Sequence, residues 1–156
     1  MKIISNSEAE TRHIGAVIAK NLMAGDIICL LGEFGSGKTV LTKGIARGLK
    51  IKESIVNSPS FVLMRQYDEG RLPLFHFDLY RLKADEDIFG LGYEEFFYDR
   101  GITVIEWAER LKCLLPEEYL RIELHCKGDT QRSLDFSFRG VRYRQLLGEL
   151  NEDISH

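Results

Sequence analysis

The chain has 156 residues, of which 44% are hydrophobic and 29% charged, and carries a net charge of −3. That length fits one domain with a core of its own, and the slight acidity excludes the strongly basic body of a direct nucleic-acid binder. Cys29, Cys113 and Cys126 are odd in number, widely spaced and without a CxxC pair, which argues against a disulfide framework or zinc site and for a reducing compartment. The N-terminus MKIISNSEAE turns polar and acidic too soon for a signal peptide. No apolar stretch approaches the roughly 18 residues of a spanning helix. A cytoplasmic protein without a membrane partner is expected.

Ser5-Asn6-Ser7 followed by Glu8 and Glu10 reads as a helix start, a cap residue and then acids in the first turn. Ile14, Val17, Ile18 and Leu22 continue it at helical spacing, and Ala24-Gly25-Asp26 ends it. Ile27 to Leu31 reads as a buried strand closed by Gly32. Beyond a glycine loop, Val40, Leu41, Ile45 and Leu49 predict a second helix. Asn57-Ser58-Pro59 is a turn, Phe61 to Tyr67 a strand, and Pro73 to Leu79 another. His76, Asp78 and Tyr80 alternate, so all three share one face while that strand stays extended. On its own His76 reads as a hydrogen-bonded structural residue. A polar stretch and the aromatic-rich LGYEEFFYD follow. Ile102 to Trp107 is a third strong strand, leading into a short helix that stops before Pro116. Leu120 to Cys126 and Leu134 to Phe138 alternate about the turn Lys127-Gly128-Asp129 and predict a hairpin. Val141 to Leu150 predicts a last helix, with residues 151–156 as a frayed tail on a domain spanning 1–150. Arg132, Arg139, Arg142 and Arg144 read as a solvated basic face.

Between the first strong strand and its helix stands Gly32-Glu33-Phe34-Gly35-Ser36-Gly37-Lys38-Thr39, the pattern G-x-x-x-x-G-K-[ST]. Glycines let backbone N–H groups approach phosphate oxygens closely, and the helix adds its positive end. Lys38 brings a mobile charge to the outer phosphates and Thr39 a hydroxyl to Mg²⁺. Gly35, Ser36, Gly37 and Val40 complete the expected cradle. Such a site needs an acid at the end of a neighbouring strand, and two apolar strands here end in one: LPLFHFD in Asp78 and ITVIE in Glu106. Spacing does not say which acid holds the metal and which orients water. Strands alternating with helices around this loop imply a single-domain α/β, three-layer, P-loop NTPase-like fold, its sheet mixed but mostly parallel with an antiparallel edge hairpin. A small GTPase is an alternative: Asp87-Ile88-Phe89-Gly90 mimics one of its motifs and Cys126-Lys127-Gly128-Asp129 echoes its base reader. A small kinase is another, although the interior of the region from Arg81 to Arg110 offers only Arg100 for an arginine-bearing lid.

Five pieces in this order resemble the TsaE (YjeE) family: the glycine loop at 32–39, Val56-Asn57-Ser58-Pro59-Ser60-Phe61, His76-Phe77-Asp78-Leu79-Tyr80-Arg81, Leu91-Gly92-Tyr93-Glu94-Glu95, and Ile105-Glu106-Trp107-Ala108-Glu109-Arg110. The likeness spans about residues 5–125, with Ser60 where the family usually has threonine. It implies a small ATPase of bacterial tRNA N6-threonylcarbamoyladenosine synthesis, binding ATP, ADP and Mg²⁺ and hydrolysing ATP slowly. It also implies work with a TsaD-like transferase and a TsaB-like partner, reaching tRNA through their complex. By the same resemblance Lys38, Glu106 and Ser60 are catalytic, and Ser60 belongs to a switch-like segment near the γ-phosphate. Thr39, Asp78 and Glu106 surround the metal, and Trp107 lies close to the nucleotide. The alternative within this reading is a nucleotide-gated adaptor that does not require hydrolysis.

Overall fold

The computed structural model describes residues 1–59, 63–82, 95 and 100–155. Its strands are β1 (Lys2–Ser5), β2 (Ile27–Leu31), β3 (Met64–Tyr67), β4 (Leu74–Asp78), β5 (Ile102–Glu106), β6 (Tyr119–Cys126) and β7 (Arg132–Arg139), and its α-helices are α1 (Glu8–Lys20), α2 (Lys38–Gly48) and α3 (Val141–Ser155). One sheet runs β1-β7-β6-β2-β5-β4-β3. The continuously apolar β2 lies between β5 and β6, parallel to both, and β4 is parallel to β5, as expected of strands buried on both faces. The sheet is therefore mixed, with a parallel centre and antiparallel partners on either side.

The hairpin of β6 and β7 forms as the alternation implies. It is not the edge, however. β1, a strand that the sequence reading did not anticipate, pairs antiparallel with β7 and takes that position. Four residues with one buried position give too short a pattern to distinguish a strand from a helix approach. At the other edge β3 pairs antiparallel with β4.

The helices follow local rules. Ser7 caps α1, its Oγ accepting from Glu10 N at 3.0 Å. α1 and α2 lie close enough for Cβ atoms to be excluded: one added at Gly44 would stand 2.1 Å from Arg12 O. Both helices bury Ile14, Ile18, Leu41 and Ile45 against Leu74, Ile102 and Val104 of the sheet, and α3 adds Leu146 and Leu150 to the same core. Phe75, Phe77 and Ile105 face the opposite side, where Ala108 and Leu111 of the 3₁₀ segment Ala108–Leu114 form a third layer.

α3 continues through residues 151–155, where the sequence predicts a frayed tail. Arg142 ties it down, its Nη2 lying 2.7 Å from Asp26 Oδ2. The Tyr143 hydroxyl accepts from Ile27 N at 2.8 Å. Among the described residues no helix is long and apolar enough to cross a membrane.

Candidate active site

The alternation of β4 and β5 decides which side chains meet. Leu74, Ile102 and Val104 point to the helix side, so His76, Asp78 and Glu106, two residues further along their strands, point there as well. Asp78 and Glu106 stand directly opposite each other in the ladder, at the carboxyl ends of their strands. Both are buried. Ligands of open α/β sheets gather at this end of the strands.

The glycine loop leaves β2 at the same end. Gly37 caps α2 at φ 107, a left-handed conformation that selects glycine, and the nearest atom to a Cβ there would be Arg132 Nε, on a flexible side chain. Gly35 has a positive φ too, 77°. The loop, α2 and the two acids line a cavity of about 330 Å³, which takes in Gly35, Ser36, Gly37, Lys38, Thr39, Val40, Asp78, Glu106 and Trp107. That volume lies at the lower end of the range of about 300–1,000 Å³ for small-molecule sites.

Lys38 curls back on its own loop. Its ammonium donates to Gly32 O at 2.6 Å and Glu33 O at 2.9 Å, and sits 4.1 Å from the centre of the Trp107 ring. Burial pulls the Lys38 pKa below its ordinary value, against the opposing pull of Glu106, Glu109, Asp78 and Glu33. Thr39 Oγ1 donates to Glu106 Oε1 at 2.8 Å. The second oxygen, Oε2, lies 3.1 Å from His76 Nε2. Asp78 accepts from the Ser58 hydroxyl and, through Oδ1, from Tyr80 N at 3.0 Å.

Two side chains differ from the sequence reading. β4 ends at Asp78, so Tyr80 leaves the face of His76 and Asp78; its ring stands 5.1 Å from Trp107. Trp107, read alone as a core aromatic, begins the 3₁₀ segment in the left-handed region at φ 58 and covers the lysine.

Four further residues line the cavity without an individual assignment from the sequence: Glu8, Phe34, Ser58 and Arg132. Arg132 donates from Nε to Ser36 O at 2.9 Å, and Arg142 is taken up by Asp26, so the C-terminal arginines do not form one solvated face. No local pattern singles out Arg132, because it reaches the loop only through the β6–β7 pairing. Ser60, Asp87-Ile88-Phe89-Gly90 and most of the Leu91–Glu95 motif lie outside the described residues.

Thr39, Ser58, Asp78 and Glu106 offer only oxygen atoms, the donor set of a hard divalent cation. Lys38, Arg132 and the N-terminus of α2 face the same cavity with positive charge, which suits an anion. Glycine loop, parallel strand and strand-terminal acids together define an α/β protein of the P-loop NTPase-like fold class.

A family model for the threonylcarbamoyl adenosine biosynthesis protein TsaE matches residues 5–134. The chain is 40% identical over 142 residues to the tRNA threonylcarbamoyladenosine biosynthesis protein TsaE of Bacillus subtilis, covering 91% of this chain and 88% of that one. It is 41% identical over 134 residues to the protein of the same name from Treponema pallidum, covering 86% and 98%. The crystal structure of YdiB from Bacillus subtilis superposes with a TM-score of 0.85 at 35% identity, over 98% of this chain and 95% of that one. The chain belongs to the TsaE family, whose place is in threonylcarbamoyladenosine biosynthesis.

Proposed function

We propose that this protein is a Mg²⁺-dependent ATPase, slow on its own, whose nucleotide cycle supports repeated turnover of the complex that makes N6-threonylcarbamoyladenosine on tRNA. The observation that carries the reading is the 2.8 Å bond from the P-loop threonine, Thr39, to the strand-terminal acid Glu106, made beside the Lys38 ammonium in one cavity. Family membership supplies the pathway. The partners in this reading are a TsaD-like transferase and a TsaB-like protein, with tRNA approached through them, in the cytoplasm.

The chain's own groups divide the work. Amides of residues 35–39 and the Lys38 ammonium would hold the β- and γ-phosphates of ATP, and after turnover the diphosphate of ADP. Thr39 and Glu106 would hold Mg²⁺, because the hydroxyl that such a loop gives to the metal already rests on that carboxylate. Bound there, the cation would neutralise charge on the transferring phosphoryl group. Asp78, tied instead to Ser58 in the 57–61 segment, would orient the attacking water and couple it to that segment. Ser60 belongs to the same proposal on sequence grounds alone. Trp107 would shield Lys38 from water, so that its charge acts in a drier environment.

Glu106→Gln tests the assignment. The amide keeps the shape but loses the charge, so ATP hydrolysis should fall by about 10²-fold or more, in line with loss of an electrostatic group at a transition state. Nucleotide binding should survive. tRNA modification by the reconstituted complex should then stall after early turnovers. Modification that continues at the wild-type rate while hydrolysis has stopped would instead establish the adaptor reading.

A further inference from the structure

His76 is fully buried, and among the described residues neither of its ring nitrogens has a hydrogen-bond partner. The sequence predicts a hydrogen-bonded structural histidine here, and the structure gives it no such bond. Leaving a buried polar atom unpaired costs free energy, whereas an apolar side chain of similar shape would pack at this position without that cost. The imidazole is therefore a poor choice for the core alone. Its neighbour supplies the reason. Nε2 lies 3.1 Å from Glu106 Oε2 without the alignment of a hydrogen bond, while Oε1 of the same carboxylate takes the Thr39 hydroxyl at 2.8 Å. The carboxylate is thus flanked on both sides, by a threonine that a bound metal would claim and by a histidine that it would not.

We infer that His76 is the positioning residue for Glu106: its Nε2, 3.1 Å from Oε2, comes into line as a donor and fixes the orientation of the carboxylate once Thr39 turns to the metal. This rests on the reading of Glu106 as the Mg²⁺ carboxylate. Groups that stand behind a metal-ligating carboxylate fix its direction, and their loss typically weakens metal binding by 10- to 100-fold. The strand geometry suits this task. His76 pairs with Val104 in the β4–β5 ladder, two positions before the Asp78–Glu106 pair, so the backbone holds the imidazole below the carboxylate. Asp78 is held from other directions, by Ser58 and by Tyr80 N.

The test compares His76→Leu and His76→Gln with the wild type. Leucine keeps the volume and loses the donor; glutamine places an amide N–H near the former Nε2. ADP affinity is first measured in EDTA, where all three should agree, since the phosphate cradle is intact. Mg²⁺ is then titrated into the ADP-loaded proteins and followed by the emission of Trp107. Half-saturation should move to about tenfold higher Mg²⁺ in His76→Leu and stay within about threefold in His76→Gln. In the free protein, His76→Leu should unfold at the same temperature as the wild type or above it. The inference is overturned if His76→Leu saturates at the wild-type Mg²⁺ concentration, or if both variants shift alike, which would mean that volume rather than the donor matters. His76→Asn, whose amide stops short of Oε2, replaces the leucine variant with the same two outcomes should leucine not fold. A wild type that binds no ADP in either medium would overturn the nucleotide-site reading itself, a result distinct from failure of the His76 role.

Discussion

Lys38 donates to Gly32 O at 2.6 Å and to Glu33 O at 2.9 Å, so a phosphate tail must draw its ammonium away from two backbone carbonyls. Charge-assisted hydrogen bonds contribute about 1.5–3 kcal/mol each, so Lys38→Ala should weaken ATP binding or turnover at least about tenfold. Wild-type affinity by calorimetry would refute the cradle. A second residue-scale prediction concerns pH. Cys29 is fully buried in β2, and burial raises its thiol from an ordinary 9.0 to about 12. The folded state then holds a proton that the unfolded chain releases above pH 9.0, so the stability from the neutral thiol is complete below that pH and is lost as pH rises towards about 12. Relative to Cys29→Ala, the wild type should lose about 1.4 kcal/mol per pH unit in that window, measured as urea midpoints at successive pH values. Cys29 was legible in sequence because an apolar run predicts burial. The state of His76 was not, because nothing local reveals that its ring would lack partners.

At the level of elements, the site depends on where α2 begins and how it lies. The start of α2 was readable, since the glycine loop specifies its own backbone: Gly37 adopts φ 107 and the helix follows at once. The angle of α2 against α1 was not, because it is set by contact between residues far apart in the chain. Gly44 meets the Arg12 carbonyl so closely that an added Cβ would lie 2.1 Å from it. Gly44→Ala should force the two helices apart and cost about 1–3 kcal/mol, as overpacking of a close contact does, read as a lowered denaturation midpoint. Because Lys38 and Thr39 form the first turn of α2, the same variant should also loosen nucleotide binding. β1 escaped the sequence reading for a related reason. Four residues carry too little periodicity, and their partner β7 lies at the far end of the chain.

For the whole molecule, α3 is tied to the sheet although it follows the residues that the family model matches. Arg142 donates from Nε and Nη2 to the two oxygens of buried Asp26, just before β2. Arg142→Ala would leave that carboxylate without its cation and should cost about 1.5–3 kcal/mol, seen in urea unfolding, with ADP affinity unchanged. The sequence by itself determined the class of fold, the glycine loop and the two strand-terminal acids. Each of these is written in neighbouring residues: glycines dictate local backbone, and an apolar run ending in an acid dictates a buried strand with a charged tip. Only the tertiary structure decided that Asp78 and Glu106 stand side by side, that Ser58 and Arg132 reach the cavity, and that His76 backs one carboxylate. Those meetings depend on strand order and register, which arise when separate segments pair, and no local pattern encodes them.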